Sequence, residues 1–266
     1  MFKRIAILVI AVAGTVAVAH AQTPKLDANT IVKQSQDAFY SAGSDMKVRI
    51  SMTLTSSSGQ KRVRDLTMLR RNEGKDGRQK YLVYFHQPAD VRGTAFLVDK
   101  FVGKDDDRWL FIPGINVVKR LAARDAAQSF VGSEFTYEHV SGRDLDADAH
   151  KLLREEAVGG KDCYVVESVA TQAAEYKRKV AWIDKKSFLP LKEEYYNGKD
   201  ELFKLFTADE VKDVGAFPTV MKRTMVNKKN GNSTTAVFTD ISYGVGLESD
   251  IFSERYLKDP PKKWIQ

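Results

Sequence analysis

From Lys47 onward apolar residues recur at every second position: Val48, Ile50, Met52 and Leu54 alternate with Arg49, Ser51, Thr53 and Thr55. A period of two puts every apolar side chain on one face of an extended chain, so this is a half-buried strand with one wet face. Ser58-Gly59 turns the chain, and Lys61 to Arg71 returns with Leu66 and Met68 on one face, giving a first hairpin. Lys80 to Phe85 is apolar on both faces, which requires cover on both sides. Thr94 to Val102, Arg108 to Ile112 and, after the Pro113-Gly114 turn, Val117 to Leu121 follow as strands. The second half continues with Cys163 to Ala170, Tyr176 to Asp184, Pro190 to Tyr196, Glu201 to Val211, Val220 to Lys228 and Ser233 to Tyr243. Asn197-Gly198 and Asn230-Gly231 lie in the turns, and such pairs favour tight hairpins. About eleven or twelve strands at this spacing predict an antiparallel barrel or a strongly curved sheet.

Helices are few. Asp27 to Tyr40 carries Ile31, Val32, Ala38 and Phe39 on a helical period, with Asp27 or Asn29 to cap it and Gly43 to stop it. Ala122 to Phe130 is expected as a short helix, and Leu145 to Glu156 as partly helical. No linker rich in Pro, Gly or Ser divides the chain, so residues 22–266 are expected to form one domain.

The N-terminus reads as an address. Lys3 and Arg4 precede the uncharged stretch Ile5 to Val18, and Ala19-His20-Ala21 offers the small residues a signal peptidase reads. Residues 1–21 are thus expected to be a secretory signal peptide, cut before Gln22. The residue after the cut is not cysteine, which argues against a lipid anchor there. The net charge of +7 then falls to +5, because Lys3 and Arg4 leave with the signal. The lone Cys163 excludes an internal disulfide and a cysteine-based zinc site. Within Cys163-Tyr-Val-Val166 it is expected to be a buried small hydrophobe. A hydrophobic content of 43% excludes a disordered chain.

Catalytic signatures for α/β-hydrolases, P-loop enzymes, zinc proteases and dinucleotide binders are absent. His86, His139 and His150 are far apart in sequence. Asp144, Asp146 and Asp148 have the alternation of a calcium loop, with Glu155 at the twelfth position, but Ala149 stands where that loop needs glycine. They read instead as an acidic solvated turn, as does Asp105-Asp106-Asp107. Arg62, Arg64, Arg70, Arg71, Lys177, Arg178 and Lys179 alternate with apolar residues and are expected on wet strand faces, so nucleic acid is not an expected partner. The same charged faces argue against a transmembrane barrel. Asn232-Ser-Thr matches a short glycosylation pattern. No catalytic residue, metal or cofactor is assigned, and the chain is not expected to be an enzyme.

Two stretches are more specific. One is Phe85-His-Gln-Pro-Ala-Asp-Val-Arg-Gly-Thr-Ala-Phe-Leu-Val98. The other is Asp107-Arg-Trp-Leu-Phe-Ile-Pro113, then Lys119-Arg120, then Ser129-Phe-Val-Gly-Ser-Glu-Phe-Thr-Tyr-Glu138. With the closing Ile251-Phe-Ser-Glu-Arg-Tyr-Leu257, they resemble the outer-membrane lipoprotein-sorting protein family, a LolA-like group of exported proteins often found beside transporters of the resistance-nodulation-division (RND) class. The resemblance spans nearly the whole chain after the signal. It implies a curved, incomplete antiparallel β-barrel with helices over the concave side. It also implies a periplasmic carrier that shelters acyl chains of lipids or lipoproteins, contacts membranes transiently and works with an RND-class transporter. Expected lipid-binding residues are Phe96, Trp109, Phe111, Phe130, Phe135 and Tyr137, with Tyr84 and Trp182 behind them. Arg92, Lys119 and Arg120 are expected to meet an anionic headgroup or membrane surface. Two other readings stay open: an accessory or sensor module docking on a transporter, and an enzyme on the same fold.

Overall fold

The structure, a computed structural model, describes residues 26–74 and 77–265. The expected signal peptide lies outside the described residues. Helix α1 (Ala28–Tyr40) opens the described chain, and the Asp27 side chain accepts the Thr30 N–H at 2.7 Å, the cap expected from sequence. Six strands follow: β1 (Asp45–Thr55), β2 (Lys61–Glu73), β3 (Arg78–Gln87), β4 (Ala95–Lys100), β5 (Asp107–Ile112) and β6 (Val117–Leu121). A connection without strands, holding 3-10 turns at Ala123–Ala127 and Phe130–Gly132 and the short helix α2 (Glu138–Ser141), leads to the rest of the sheet. That part is β7 (Asp148–Val158), β8 (Lys161–Ala170), β9 (Arg178–Asp184), β10 (Pro190–Tyr196), β11 (Leu202–Val214), β12 (Phe217–Asn227) and β13 (Ser233–Tyr243). Two short helices, α3 (Arg255–Lys258) and α4 (Lys262–Ile265), close the described chain.

All thirteen strands form one antiparallel sheet in the order β6-β5-β4-β3-β2-β1-β13-β12-β11-β10-β9-β8-β7. The chain walks outward from β1 to the β6 edge, crosses to the far edge at β7, and walks back until β13 pairs with β1. The edges β6 and β7 do not pair, so the barrel is incomplete. The strand beyond the expected count is β7. Lys151-Leu-Leu-Arg-Glu155 has good helix formers, but pairing along β8 (Leu152 opposite Val166, Glu155 opposite Tyr164) overrides that local preference. Ala122 to Phe130 shortens to a 3-10 turn.

Register decides which side chains look inward. Opposed residues Ile50, Leu66 and Phe85 share one face, as do Met68, Val83 and Phe96. On that face residues from β1 to β4 form one apolar cluster with Phe203 and Phe206 of β11 and Met225 of β12. Phe130, Phe135 and Tyr137 of the β6–β7 connection and Phe39 of α1 join the same cluster, so this is the covered, concave face. Helix α1 packs there too, with Ile31 against Val166, Ala181 and Ile183. The opposite face of β2 to β5 carries Leu69, Leu82, Leu97 and Phe111 under a C-terminal cover that includes Leu247, Phe252 and Leu257. This explains why Lys80 to Phe85 is apolar on both sides. Cys163 is a buried free thiol in a smaller convex cluster with Val165, Val180 and Trp182.

Candidate functional site: the plugged interior

The crossing from β6 to β7 fills the barrel. Its segment Ser129–Glu138 folds on itself: Phe130 N–H donates to the Phe135 carbonyl at 2.8 Å, Tyr137 N–H to Gln128 at 3.1 Å, and the Ser133 hydroxyl to Phe130 at 2.8 Å. These bonds satisfy the backbone locally and leave three aromatic side chains free to point into the sheet. The Phe130 ring sits 5.7 Å from Phe85 and 5.6 Å from both Phe96 and Tyr137, tilted or edge-on, and Phe96 lies 5.1 Å from Tyr137. Such geometry adds about 0.5–1.5 kcal/mol per pair beyond the area buried. Val131 takes φ 48° and ψ 43°, a left-handed conformation that a β-branched residue avoids, and Gly132 follows at φ 76°. We call this segment the plug.

The plug is fastened at Glu134. Its N–H donates to Thr234 Oγ1 at 2.9 Å, its carboxylate accepts from Asn227 at 3.0 Å, and its carbonyl accepts from the Lys204 ammonium at 3.0 Å. Lys204 also pairs with Glu175 at 2.6 Å, and both side chains are only 10% exposed. Around them the β7–β11 side of the interior is ionic. Arg143 pairs with Glu138 and with Asp148, each at 2.9 Å, and also reaches the carbonyls of Ala147, Gln172 and Ala173. Tyr176 donates to Asp148 at 2.5 Å, and Lys179 pairs with Glu193 at 2.9 Å. His139 Nδ1 accepts the Thr136 N–H at 2.9 Å, and Nε2 lies 3.4 Å from Glu175. Burial, followed by the cations Lys204, Lys179 and Arg223, holds the imidazole pKa well below its ordinary value. Glu175 does not offset this, because its charge is committed to Lys204. His139 is therefore neutral, with its proton on Nε2. A cleft of about 1040 Å³ opens beside this side of the interior, bordered by Lys33, Lys100, Lys104, Arg143 and Asp144 among others.

The residues expected to bind lipid fall into three places. Phe96, Phe130, Phe135 and Tyr137 meet in the concave cluster. Tyr84, Trp109 and Phe111 point the other way, to the convex cluster under the C-terminal cover. Trp182 lies on the convex side of β9, under Lys192 at 4.1 Å. Period two explains the split: Tyr84 and Phe85 are neighbours and face opposite sides, as are Leu110 and Phe111. Lys119 and Arg120 are exposed on the β6 edge, where Arg120 pairs with Asp107. Arg92 is exposed in the β3–β4 turn, whose Gly93 lies against Pro113.

Several charges expected on wet faces are inward. Arg64 and Arg70 are buried on the concave face, and Lys179 turns inward to Glu193. Asp106 is buried against Arg108 at 2.6 Å, and Asp148 is buried beneath Arg143, so neither belongs to a solvated turn. Arg64 and Arg70 share the period-two face of Leu66 and Met68 and so turn inward with them, Lys179 finds Glu193 on the neighbouring strand, and Asp106 and Asp148 are buried by arginines two and five residues away. His150, set by Ser168 at 2.8 Å and the Leu145 carbonyl at 3.0 Å, lies apart from His86 and His139. Among the described residues no group of three or more His, Cys, Asp or Glu is placed to hold a metal ion.

Comparison with known proteins follows this architecture. A family model described only as an uncharacterized protein matches residues 77–259. A crystal structure of a protein domain described as outer-membrane lipoprotein-sorting, from Vibrio parahaemolyticus, is 30% identical with a TM-score of 0.80, covering 87% of this chain and 98% of that one. The chain belongs to the LolA-like outer-membrane lipoprotein-sorting family. A DUF1329 family protein from Desulfovibrio piger is 28% identical with a TM-score of 0.78, covering 85% of this chain and 95% of that one. A LolA superfamily protein from Nitrosomonas europaea shares the fold at 19% identity and a TM-score of 0.70, covering 87% of this chain and all of that one. No curated protein matches the chain. In this LolA-like protein the segment that carries much of the family resemblance, Ser129–Glu138, is the plug.

Proposed function

We propose that the protein is a periplasmic carrier that takes acyl chains of a lipid or lipoprotein into its interior by displacing the plug. One observation carries this reading. The segment Ser129–Glu138 lies with α1 over the inside of the open sheet, and its aromatic side chains fill the apolar concave face. Phe130 and Tyr137 exchange contacts with Phe85 and Phe96 for contacts with methylenes. Each methylene leaving water contributes about 0.8 kcal/mol, so affinity for the tail comes without specific polar contacts. The left-handed Val131 raises the energy of the closed form and brings opening within reach. Export by cleavage before Gln22, membrane contact through Arg92, Lys119 and Arg120, and collection from or delivery to an RND-class transporter complete the proposal.

The test is mass spectrometry of the protein purified from the periplasm, joined to titration with fluorescent acyl-chain probes. Co-purifying lipid or acylated protein supports the carrier. Clean protein that binds no probe sinks it. The ionic network favours a second reading, an accessory module whose interior stays shut while its surface docks on a transporter. Cross-linking to a transporter without transfer of lipid between membranes selects that reading.

A further inference from the structure

Four arginines on the concave face have a buried nitrogen without a hydrogen-bond acceptor: Arg64 at Nη1, and Arg70, Arg108 and Arg223 at Nε, of which Arg108 is already neutralised by Asp106 at 2.6 Å. Arg64 lies against the plug at Gly132. Arg70 and Arg223 line one cavity of about 60 Å³, together with Met46, Met68, Phe238 and Ile241. Arg70 is only 2% exposed. It spends Nη1 and Nη2 on the carbonyls of Tyr40 and Ala42, at the end of α1, and forms no ion pair among the described residues. Arg223 makes neither a hydrogen bond nor an ion pair among the described residues. It is framed by the rings of Phe39 at 5.3 Å, Phe135 at 5.2 Å and Phe238 at 4.7 Å.

The neighbouring carboxylates are committed elsewhere. Glu193 holds Lys179 and Tyr195, and Asp45 accepts the backbone N–H groups of Val245, Gly246 and Leu247. Burying a charged guanidinium without an acceptor is costly, and folded proteins almost always supply one. A guanidinium with no acceptor, Arg223, and a second without a countercharge, Arg70, on one largely apolar cavity, with Phe135 of the plug as a wall of the Arg223 cage, call for an anion that brings an apolar body with it. Aromatic rings hold the guanidinium planes in place while leaving their N–H edges free, and those edges match an oxyanion.

We infer that Arg70 and Arg223 form the seat for an oxyanion, the carboxylate or phosphate head of an amphiphile whose tail enters the space held by the plug. The inference rests on the carrier reading and narrows its cargo. The acylated end of a lipoprotein presents esters and amides, so this seat selects anionic lipids over lipoproteins. Arg70 also ties the seat to α1: an anion there competes with the carbonyls of Tyr40 and Ala42 and loosens the end of the helix that covers the cavity.

The experiment uses the mature full-length protein and a fluorescent long-chain fatty acid, parinaric acid, beside its methyl ester, which keeps the tail and loses the charge. The wild-type protein is expected to bind the acid at least tenfold more tightly than the ester. Arg223→Gln is expected to weaken the acid tenfold or more and the ester less than twofold, with Arg223→Lys between. Equal binding of acid and ester by the wild type overturns the seat while leaving the carrier reading intact, and needs no variant to fold. Binding of neither probe overturns the carrier reading and the seat together. Displacement of the acid by millimolar inorganic phosphate, with no loss of ester binding, identifies a site for free phosphate and overturns the lipid assignment.

Discussion

On the β1–β6 side of the interior, Phe85, Phe96, Phe130 and Tyr137 pack ring against ring; on the β7–β11 side, Arg143, Lys179 and Lys204 pack against Glu138, Asp148, Glu175 and Glu193. Both sides are shut by the same β6–β7 connection, yet they respond differently to an incoming chain. Aromatic contacts leave no charge behind when they part, and an acyl chain offers dispersion contacts in their place. A buried ion pair is directional, and removing one partner strands the other in an apolar setting. The apolar side is thus the exchangeable part of the interior. The ionic side is the fixed frame that decides how far the plug can move, with Lys204 as the joint between them.

The sharpest way to break this contrast is Arg143→Met. The change leaves Glu138 and Asp148 without their buried cation and frees three carbonyls, and it should cost about 3–5 kcal/mol in urea unfolding. A loss below 1 kcal/mol would mean that the ionic side is no frame. Phe130→Ala comes next. In a fixed core such a truncation costs about 3–5 kcal/mol. In an exchangeable plug it should cost less and should tighten acyl-probe binding several-fold, because the site is partly emptied. The full loss with unchanged probe affinity would make the plug ordinary core.

The third prediction is read from pH. His139 in the folded protein titrates well below its ordinary value, whereas in the unfolded chain it titrates near about 6.5. Between those values the unfolded state binds more protons, so stability falls as pH drops below about 6.5, by up to about 1.4 kcal/mol per pH unit for one proton. His86 and His150 are shifted the same way, chiefly by burial. Glu175, raised by burial, acts with the opposite sign above its ordinary value. The comparison is therefore differential: His139→Asn, which can still accept the Thr136 N–H, should flatten the dependence between pH 5 and 6.5. An unchanged slope would show that His139 titrates as freely in the fold as out of it.

The strands were legible because alternation is local. Val48, Ile50 and Met52 announce an inward face without knowing what they meet, and the two-sided Lys80–Phe85 announces a second cover. The segment Leu145–Glu156 misled because its residues favour helix and only the β8 partner, many positions away, makes it a strand. The candidate site was half legible for the same reason. Phe130, Phe135 and Tyr137 stood out as a motif, but Trp109, Phe111 and Tyr84 could not be assigned a face until register was known. The ionic frame was hidden altogether. Nothing near Lys204 in sequence names Glu175 or the Glu134 carbonyl as its partners, and the unpaired guanidinium of Arg223 is visible only as the lack of such a partner.

The smallest effect tests the hinge of the comparison. Val131 holds a left-handed backbone inside a segment that otherwise satisfies its own hydrogen bonds. A residue with a branched Cβ costs about 1–2 kcal/mol there, and asparagine, whose short polar side chain tolerates this region, costs less. The strain exists only while the plug is closed, so relieving it should stabilise the closed form alone. Val131→Asn should therefore raise unfolding stability by up to about 1 kcal/mol and weaken acyl-probe binding by up to about fivefold, the same free energy seen from the other side. Stability rising with no change in probe affinity would mean that the probe binds without opening the plug, and the exchangeable site would have to lie elsewhere on the molecule.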